Sequence, residues 1–425
     1  MKYRKSKIAV VMAALFLLAS CSAVESYNSS AEDTKGLESE TESEIITQTV
    51  SEIPPEITPE ITVDTPAAAA KKETELLLTA AAEAKVKETT AALETTTASI
   101  ISAASEAATI NPVTSAIPPE LPGNVSDSYR EDGESGIKII GRNGHYMGLM
   151  GCWGTFELCE KYAASVNRAA EALPNVKVYN MVVPTSSEFY TPSDVKGFTA
   201  SQREKIEHIS GRLVNVTDTD VYSALSAHLD EPVYSRTDHH WFPLGAYYAA
   251  EVFASAAGVN DSFAPLADYE QVTKGGYMGS LYNYSKSNNL YSDPEAFTLY
   301  ISPNDKAIKT TYYDTSFQNG YESDLFVSRD ASSYYCSFLG SDNRIAEIKT
   351  DCDNGRILVI FKESYGNALV PFLTSCFESI YVCDVRYFDL DAKEFCERVG
   401  ATDLLFAVCT YTPTGPNCSY VRGLF

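Results

Sequence analysis

Two of the five histidines of this 425-residue chain are adjacent, in Arg236-Thr237-Asp238-His239-His240-Trp241. They are its one concentrated source of imidazole. A second chemically suggestive residue is Ser364, in Lys362-Glu363-Ser364-Tyr365-Gly366, directly after an apolar run. Serine is a weak nucleophile at neutral pH and needs an adjacent base. His239 or His240 can be that base, with Asp238 fixing the tautomer of its neighbour and stabilising the imidazolium. A hydroxyl where a strand ends and a helix begins also has helix N–H groups beside it for a developing oxyanion. The same serine equally suits an ordinary helix cap. Asp-His-His also occurs in metal-dependent phosphoesterases, but these need further ligands. His145, His208 and His228 do not form a ligand-spaced set with it. No metal and no cofactor is expected.

These groups have to be held by a fold, and the periodicity implies one. Residues 356–361, 380–384 and 403–409 read as buried strands, separated by helices at 368–377 and 391–399. Strands alternating with helices imply parallel pairing and right-handed crossovers. The ligand crevice of such sheets lies at the carboxyl ends of the strands, where Ser364 falls. Upstream, 137–146 reads as a hairpin about Asn143-Gly144. Residues 157–173, 201–212 and 220–229 have helical spacing, with Thr217 or Thr219 capping the last. Strands are expected at 176–183 and at 232–235, the latter leading into the histidine pair. Residues 243–257 form a strong helix with Pro243 in its first turn and Gly258 at its end. Residues 260–345, rich in Tyr, Ser, Asn and Asp, read as an irregular β-rich insertion or an edge region, with runs such as 297–301. The expected fold class is α/β, a three-layer αβα sandwich.

Residues 237–241 resemble the namesake motif of the bacterial DHHW protein family. Further stretches match in order: Val182-Val183-Pro184-Thr185-Ser186-Ser187-Glu188-Phe189-Tyr190, then Phe338-Leu339-Gly340, then residues 358–367 and 381–387. The resemblance spans roughly 137–425. That family is similar in turn to the SGNH-hydrolase-like proteins of alginate and cell-wall polysaccharide O-acetylation. Those carry Asp-x-His-Trp well before the nucleophilic serine, a permuted motif order. By this resemblance Asp238 orients, His240 is the base and Ser364 the nucleophile, and His239 takes the unassigned x position. Gly141-Arg142-Asn143-Gly144 also looks like their Gly-x-x-Gly-aromatic segment. The chain departs from the pattern at Glu363, where the related enzymes often have a smaller residue. No residue clearly matches an oxyanion-hole Asn. The backbone N–H of Tyr365 and Asn367 are the oxyanion candidates, with Asn180 and the Thr410 region behind them. Trp241 is a candidate for stacking on a sugar face, and Arg236, Arg386 and Tyr387 for the polar walls of a substrate site.

Outside this region the chain reads differently. Met1 to Lys7 is basic and is followed by a dozen apolar residues, too few to span a bilayer comfortably. Leu18-Ala19-Ser20-Cys21 then resembles a bacterial lipobox, so residues 1–20 are expected to be a lipoprotein signal peptide and Cys21 the lipidated residue. Residues 21–125 are dominated by Ser, Thr, Ala, Glu and Pro, with Tyr27 the one aromatic. Such a segment buries too little apolar surface to offset chain entropy. As a flexible tether it reaches roughly 55–60 Å. Residues 126–425 form the folded domain. The chain carries a net charge of −24, and both tether and domain are acidic, which argues against nucleic acid as a partner. Setting Cys21 aside, nine cysteines remain in an exported domain, with Cys152–Cys159 and Cys336–Cys352 as candidate pairs and Cys383 and Cys409 as small core residues.

The expectation is a lipid-anchored Ser-His-Asp acyl-transfer protein on the extracytoplasmic side of the cell membrane. It would act as an O-acetyltransferase or acetyl esterase on cell-surface polysaccharide, with a membrane-embedded protein supplying the acyl group. The alternative is a catalytically degenerate SGNH-like lipoprotein that binds surface glycan without chemistry. Reach between Ser364 Oγ and His240 separates the two.

Overall fold

The structure, a computed structural model, describes residues 124–425 apart from Lys196, Ser341 and Asn343. The expected signal peptide, Cys21 and the tether as far as residue 123 lie outside the described residues. Three strands pair in order as β1 (Arg130–Asp132), β2 (Ile137–Arg142) and β3 (His145–Met150). Asn143 and Gly144 make the expected β2–β3 turn with φ of 50° and 84°, the left-handed pair that a two-residue hairpin loop requires. After helix α1 (Phe156–Ala172) the chain enters the main sheet with β4 (Lys177–Val183). Helix α2 (Gln202–Ser210), the short strand β5 (Thr217–Asp218), helix α3 (Val221–Ser226) and helix α4 (Pro243–Ala257) follow. Next come β6 (Glu270–Tyr277), helix α5 (Ser280–Ser285), β7 (Glu295–Ile301), β8 (Lys309–Tyr313), β9 (Tyr321–Ser323) and β10 (Ile345–Lys349). The chain closes with β11 (Ile357–Lys362), β12 (Ser379–Asp384), helix α6 (Ala392–Val399), β13 (Asp403–Cys409) and two short helical turns.

The eight-stranded sheet has the order β5-β4-β13-β11-β12-β10-β8-β9. Pairing is parallel from β5 to β12 and antiparallel from β12 to β9. Side chains alternate along each central strand, and both faces are apolar. Tyr179, Met181, Leu358, Ile360 and Leu405 pack with Phe253 of α4 on one face. Val178, Val359, Phe361, Leu404 and Phe406 pack with Tyr162 of α1 and Phe395 of α6 on the other. Strands buried on both sides need helices on both sides, which makes the three-layer α/β sandwich. Among the described residues no helix is long and apolar enough to cross a membrane.

Several local expectations change. Of the two readings of residues 260–345, the edge region describes them better than a separate insertion. β8 and β9 extend the main sheet, and β6 pairs with β7 as a ribbon that brings Gly279, Ser280 and Glu295 to the motif loop. The helix expected at 368–377 is instead a run of 3₁₀ turns from Ser364 to Leu373, because Pro371 inside it has no N–H and blocks α-helical continuation. Asp220, rather than Thr217 or Thr219, caps α3, accepting from Ser223 N. The strand expected at 232–235 reduces to a single bridge, Tyr234 to Trp241. The cysteine pairs expected at Cys152–Cys159 and Cys336–Cys352 are not disulfides. Cys152 Sγ lies against the Thr414 hydroxyl, and Cys352 Sγ donates to the Ser375 carbonyl. Cys383 and Cys409 are buried in strands as expected.

Candidate active site

The Tyr234–Trp241 bridge closes a tight loop whose interior is organised by one buried acid. Glu295, at the start of β7, accepts from Arg236 N (2.9 Å), Thr237 N (2.9 Å), Thr237 Oγ1 (2.7 Å) and the Ser235 hydroxyl. Ser235 Oγ in turn accepts the N–H of Asp238 (2.8 Å). Each bond satisfies a loop group that would otherwise be buried unpaired. The carboxylate of Asp238 is thereby held in one place. Its Oδ2 accepts from Ser280 N (2.7 Å), and its Oδ1 accepts from His240 N (2.9 Å) and lies 2.5 Å from His240 Nδ1.

The other half of the site comes from β11. Glu363 continues the strand in extended backbone, and Ser364 opens the 3₁₀ run at the carboxyl edge of the sheet. Ser364 Oγ lies 2.8 Å from His240 Nε2. The Tyr335 ring stacks flat on His240, centroids 3.8 Å apart at 8°. Its hydroxyl donates to the carbonyls of Ser364 (3.0 Å) and Tyr365 (3.1 Å), so it ties the imidazole to the strand that carries the serine. With Nδ1–H donating to Asp238, Nε2 of His240 is left to accept the serine proton, the arrangement a general base needs.

All three groups are buried: Asp238 is 5 % exposed, His240 3 % and Ser364 3 %. Burial by itself raises the Asp238 carboxyl. The two imidazoles and the hydrogen bonds from His240 and Ser280 more than reverse this and hold it well below the usual carboxylate range. Asp238, His239 and His240 also offer ligand atoms within 4.8 Å of one another. Both ring nitrogens of His240 are already hydrogen-bonded, so a cation there would break the Asp238–His240–Ser364 chain.

The sequence profile of the DHHW protein family matches residues 152–383 of the chain. The chain belongs to the DHHW family. It is similar to a solved DHHW family protein from Eubacterium siraeum, at 41% identity over 69% of this chain and 97% of that one, with a TM-score of 0.66. It is also similar in fold to PatB1 of Bacillus cereus, at 18% identity over 67% of this chain and 99% of that one, with a TM-score of 0.56. None of the curated proteins compared with the chain matches it.

In this DHHW protein the other residues singled out by sequence lie elsewhere or are otherwise engaged. The N–H of Tyr365 donates to Glu363 Oε2 (3.1 Å), whose Oε1 accepts from Cys409 N on the next strand (2.5 Å). Asn367 donates to Asp342 (2.8 Å). Asn180 is held between Tyr162 (2.9 Å) and Asp218 (2.6 Å), and the Thr410 hydroxyl donates to Gln202. Trp241 is 1 % exposed, with Nε1 donating to the Tyr365 carbonyl (3.0 Å), so it is a core residue and not a sugar platform. Arg386 grips Asp384 (2.7 Å) and Asp342 (2.8 Å) and is a buried structural cation, with Tyr387 half-buried beside it. Arg236 pairs with Asp293 (2.9 Å) and does reach a wall. It lines a cleft of about 420 Å³ with Arg142, Tyr190, Glu295 and Tyr300, which neither Ser364 nor His240 lines.

Residues that the sequence reading missed carry much of the positioning: Glu295, Ser280, Gly279 and Tyr335. Tyr335 sits just before Phe338-Leu339-Gly340, a stretch that had drawn notice. Glu295 carried no signal, because an acid before a strand is ordinary. Gly279 packs so closely on the loop that a Cβ would fall 2.3 Å from Asp238 Cβ and 2.8 Å from its Cα. Gly279→Ala is therefore expected to push Asp238 out of line, lowering stability by about 1–3 kcal/mol as overpacking does and lowering turnover more than the unfolded fraction explains. Thermal melting beside ester turnover on the same sample checks this. Unchanged turnover would mean that the loop yields freely.

Proposed function

We propose that this protein catalyses acyl transfer through an acyl-Ser364 intermediate, with an acetyl group as the acyl unit and a polysaccharide hydroxyl or water as the acceptor. The reading rests on one observation, the continuous chain Asp238 Oδ1–His240–Ser364 Oγ at 2.5 and 2.8 Å. His240 takes the proton of Ser364 as Oγ attacks the acyl carbon, and returns a proton to the leaving group. It then deprotonates the incoming hydroxyl, and the acyl group leaves the serine. Similarity to a fold shared with PatB1 is consistent with acyl chemistry, and the family's kinship with polysaccharide O-acetylation proteins suggests a glycan acceptor. In the same reading a diacyl group on Cys21 holds the domain outside the membrane, and a membrane-embedded partner supplies acetyl.

The test is intact-mass analysis of the whole protein after incubation with 4-nitrophenyl acetate, with release of nitrophenol followed in parallel. Wild type is expected to turn over or trap one acetyl group, and Ser364→Ala to do neither. The mass of the protein recovered from membranes tests the Cys21 lipid in the same run. Burial of Ser364, together with the Tyr365 N–H being held by Glu363, favours a second reading, a glycan-binding protein on an inactive scaffold. Wild type as inert as a folded Ser364→Ala would decide for it.

A further inference from the structure

The triad makes no use of His239, yet this ring is placed as carefully as that of His240. Its Nδ1 lies 3.6 Å from the same Asp238 oxygen that His240 Nδ1 touches at 2.5 Å. The two ring centroids are 3.8 Å apart with a tilt of 37°. Both rings turn Nδ1 toward that oxygen, so the Nε2 of each lies at the far edge of its ring. At that edge His240 Nε2 meets Ser364 Oγ. His239 Nε2 belongs to the ring packed against it. It is buried, and it has no hydrogen-bond partner among the described residues. A buried ring nitrogen left without a partner calls for an explanation, and a group that arrives with the substrate supplies one.

The proposal takes one of the two tautomers open to the ring. Ser280 Oγ accepts the backbone N–H of His239 (3.4 Å) and lies 2.6 Å from Nδ1, to which its hydroxyl can donate. The ring hydrogen then sits on Nε2. Burial, reinforced by the neighbouring His240, pushes this imidazole down to about 3, so at pH 7 it is neutral and carries a single N–H. Meanwhile the two donors expected for an oxyanion are engaged elsewhere, Tyr365 N on Glu363 and one N–H of Asn367 Nδ2 on Asp342.

We propose that His239 Nε2–H is the donor that receives the acyl carbonyl oxygen as Ser364 attacks. The DHHW loop then carries two histidines with separate tasks, the second as base and the first as oxyanion donor. This inference rests on the acyl-transfer reading above. In the step, Ser364 Oγ bonds the carbonyl carbon and its proton passes to His240 Nε2. The carbonyl π pair moves to oxygen, and that oxyanion is held by His239 Nε2–H. On collapse the pair returns, the C–O bond to the leaving alcohol breaks, and that alcohol takes the proton from His240. His239 keeps its proton throughout, as a neutral imidazole donor can.

Two substitutions of the full-length protein separate donor from scaffold. In His239→Asn the amide oxygen stands near the Nδ1 position and accepts from Ser280 Oγ, so the Ser280 contact survives and the Nε2 donor is lost. In His239→Gln the amide nitrogen reaches the Nε2 position. Single-turnover acetylation of Ser364 by 4-nitrophenyl acetate is expected to slow about 10²–10³-fold in His239→Asn with KM within about threefold of wild type, the usual loss for one oxyanion donor. His239→Gln is expected to recover to within about tenfold of wild type. The proposal is overturned if His239→Asn acetylates within threefold of wild type, or if His239→Gln falls as far as His239→Asn at an unchanged melting temperature. Inert wild type would remove the acyl-transfer reading and this inference together. Active wild type with an indifferent His239 would remove this inference alone.

Discussion

Asp238→Asn is expected to lower acetylation of Ser364 by about 10³–10⁴-fold, the scale seen when a triad carboxylate becomes an amide. The side chain keeps its shape, and its carbonyl oxygen stays on Ser280 N, which puts the amide NH₂ at the Oδ1 position that faces His240 Nδ1. The amide NH₂ cannot accept the Nδ1 proton of His240, however. The ring is driven to the tautomer that carries hydrogen on Nε2, which donates to the Ser364 hydroxyl and can no longer accept its proton, so the serine loses its base. The variant also lacks the negative charge that stabilises the imidazolium during attack. Burst kinetics with 4-nitrophenyl acetate against a Ser364→Ala floor measure the effect. Asp238→Asn acetylating within about tenfold of wild type would mean that His240 is oriented by its packing on Tyr335 and not by the carboxylate.

The second large effect is on stability. Behind Ser364, Lys362 Nζ bonds Asp342 (2.9 Å) and Asp384 (3.0 Å), and Arg386 bonds the same two acids (2.8 and 2.7 Å). All four side chains are nearly sealed from solvent. Burial opposes the charge on Lys362, but the two carboxylates outweigh it and raise its ammonium above the usual value. Burial likewise opposes ionisation of Asp342, and Lys362 with Arg386 drives its carboxyl well below the usual range. Two cations facing two anions leave no uncompensated charge. Lys362→Met removes one cation and leaves two carboxylates for one guanidinium, at an expected cost of about 3–5 kcal/mol. The melting temperature should fall on the order of 10 °C. Adding Asp342→Asn to Lys362→Met should restore part of the loss, because the surplus charge goes with it. A cost below about 1 kcal/mol in a urea titration would show that water or a shifted Arg386 already compensates the site.

How far the sequence disclosed the site follows from the range of each interaction. Asp238 and His240 are two residues apart, so one loop sets most of their geometry and adjacency in sequence was informative. The place of Ser364 at a strand–helix turn followed from local patterning, since the apolar run 357–361 and the glycine after Tyr365 mark a strand end. The substrate-wall candidates failed where they depended on contacts across the fold. Trp241 could face a sugar or the core with equal local logic, and the 3₁₀ run beneath it decided for the core. Arg386 could be an exposed wall cation until Asp342, 44 residues earlier, closed over it. The Glu295–Thr237 bond spans 58 positions and the Tyr335–Ser364 bond 29, and neither residue type is unusual where it stands.

The sequence by itself determined what short-range physics controls: the central strands, the helix between β12 and β13, the Asn143-Gly144 turn, the Pro243 to Gly258 helix, and the residue types able to perform acyl chemistry. The tertiary structure alone decided which partners those residues meet. It brought Ser364 to His240 across 124 positions, placed Glu363 on the Tyr365 N–H, and joined residues 260–345 partly to the main sheet and partly to a ribbon beside the motif. It also left one ring nitrogen of His239 buried without a hydrogen-bond partner among the described residues. Such pairings depend on which strand lies beside which. That order is set by the packing of the whole core and is not encoded in any one segment.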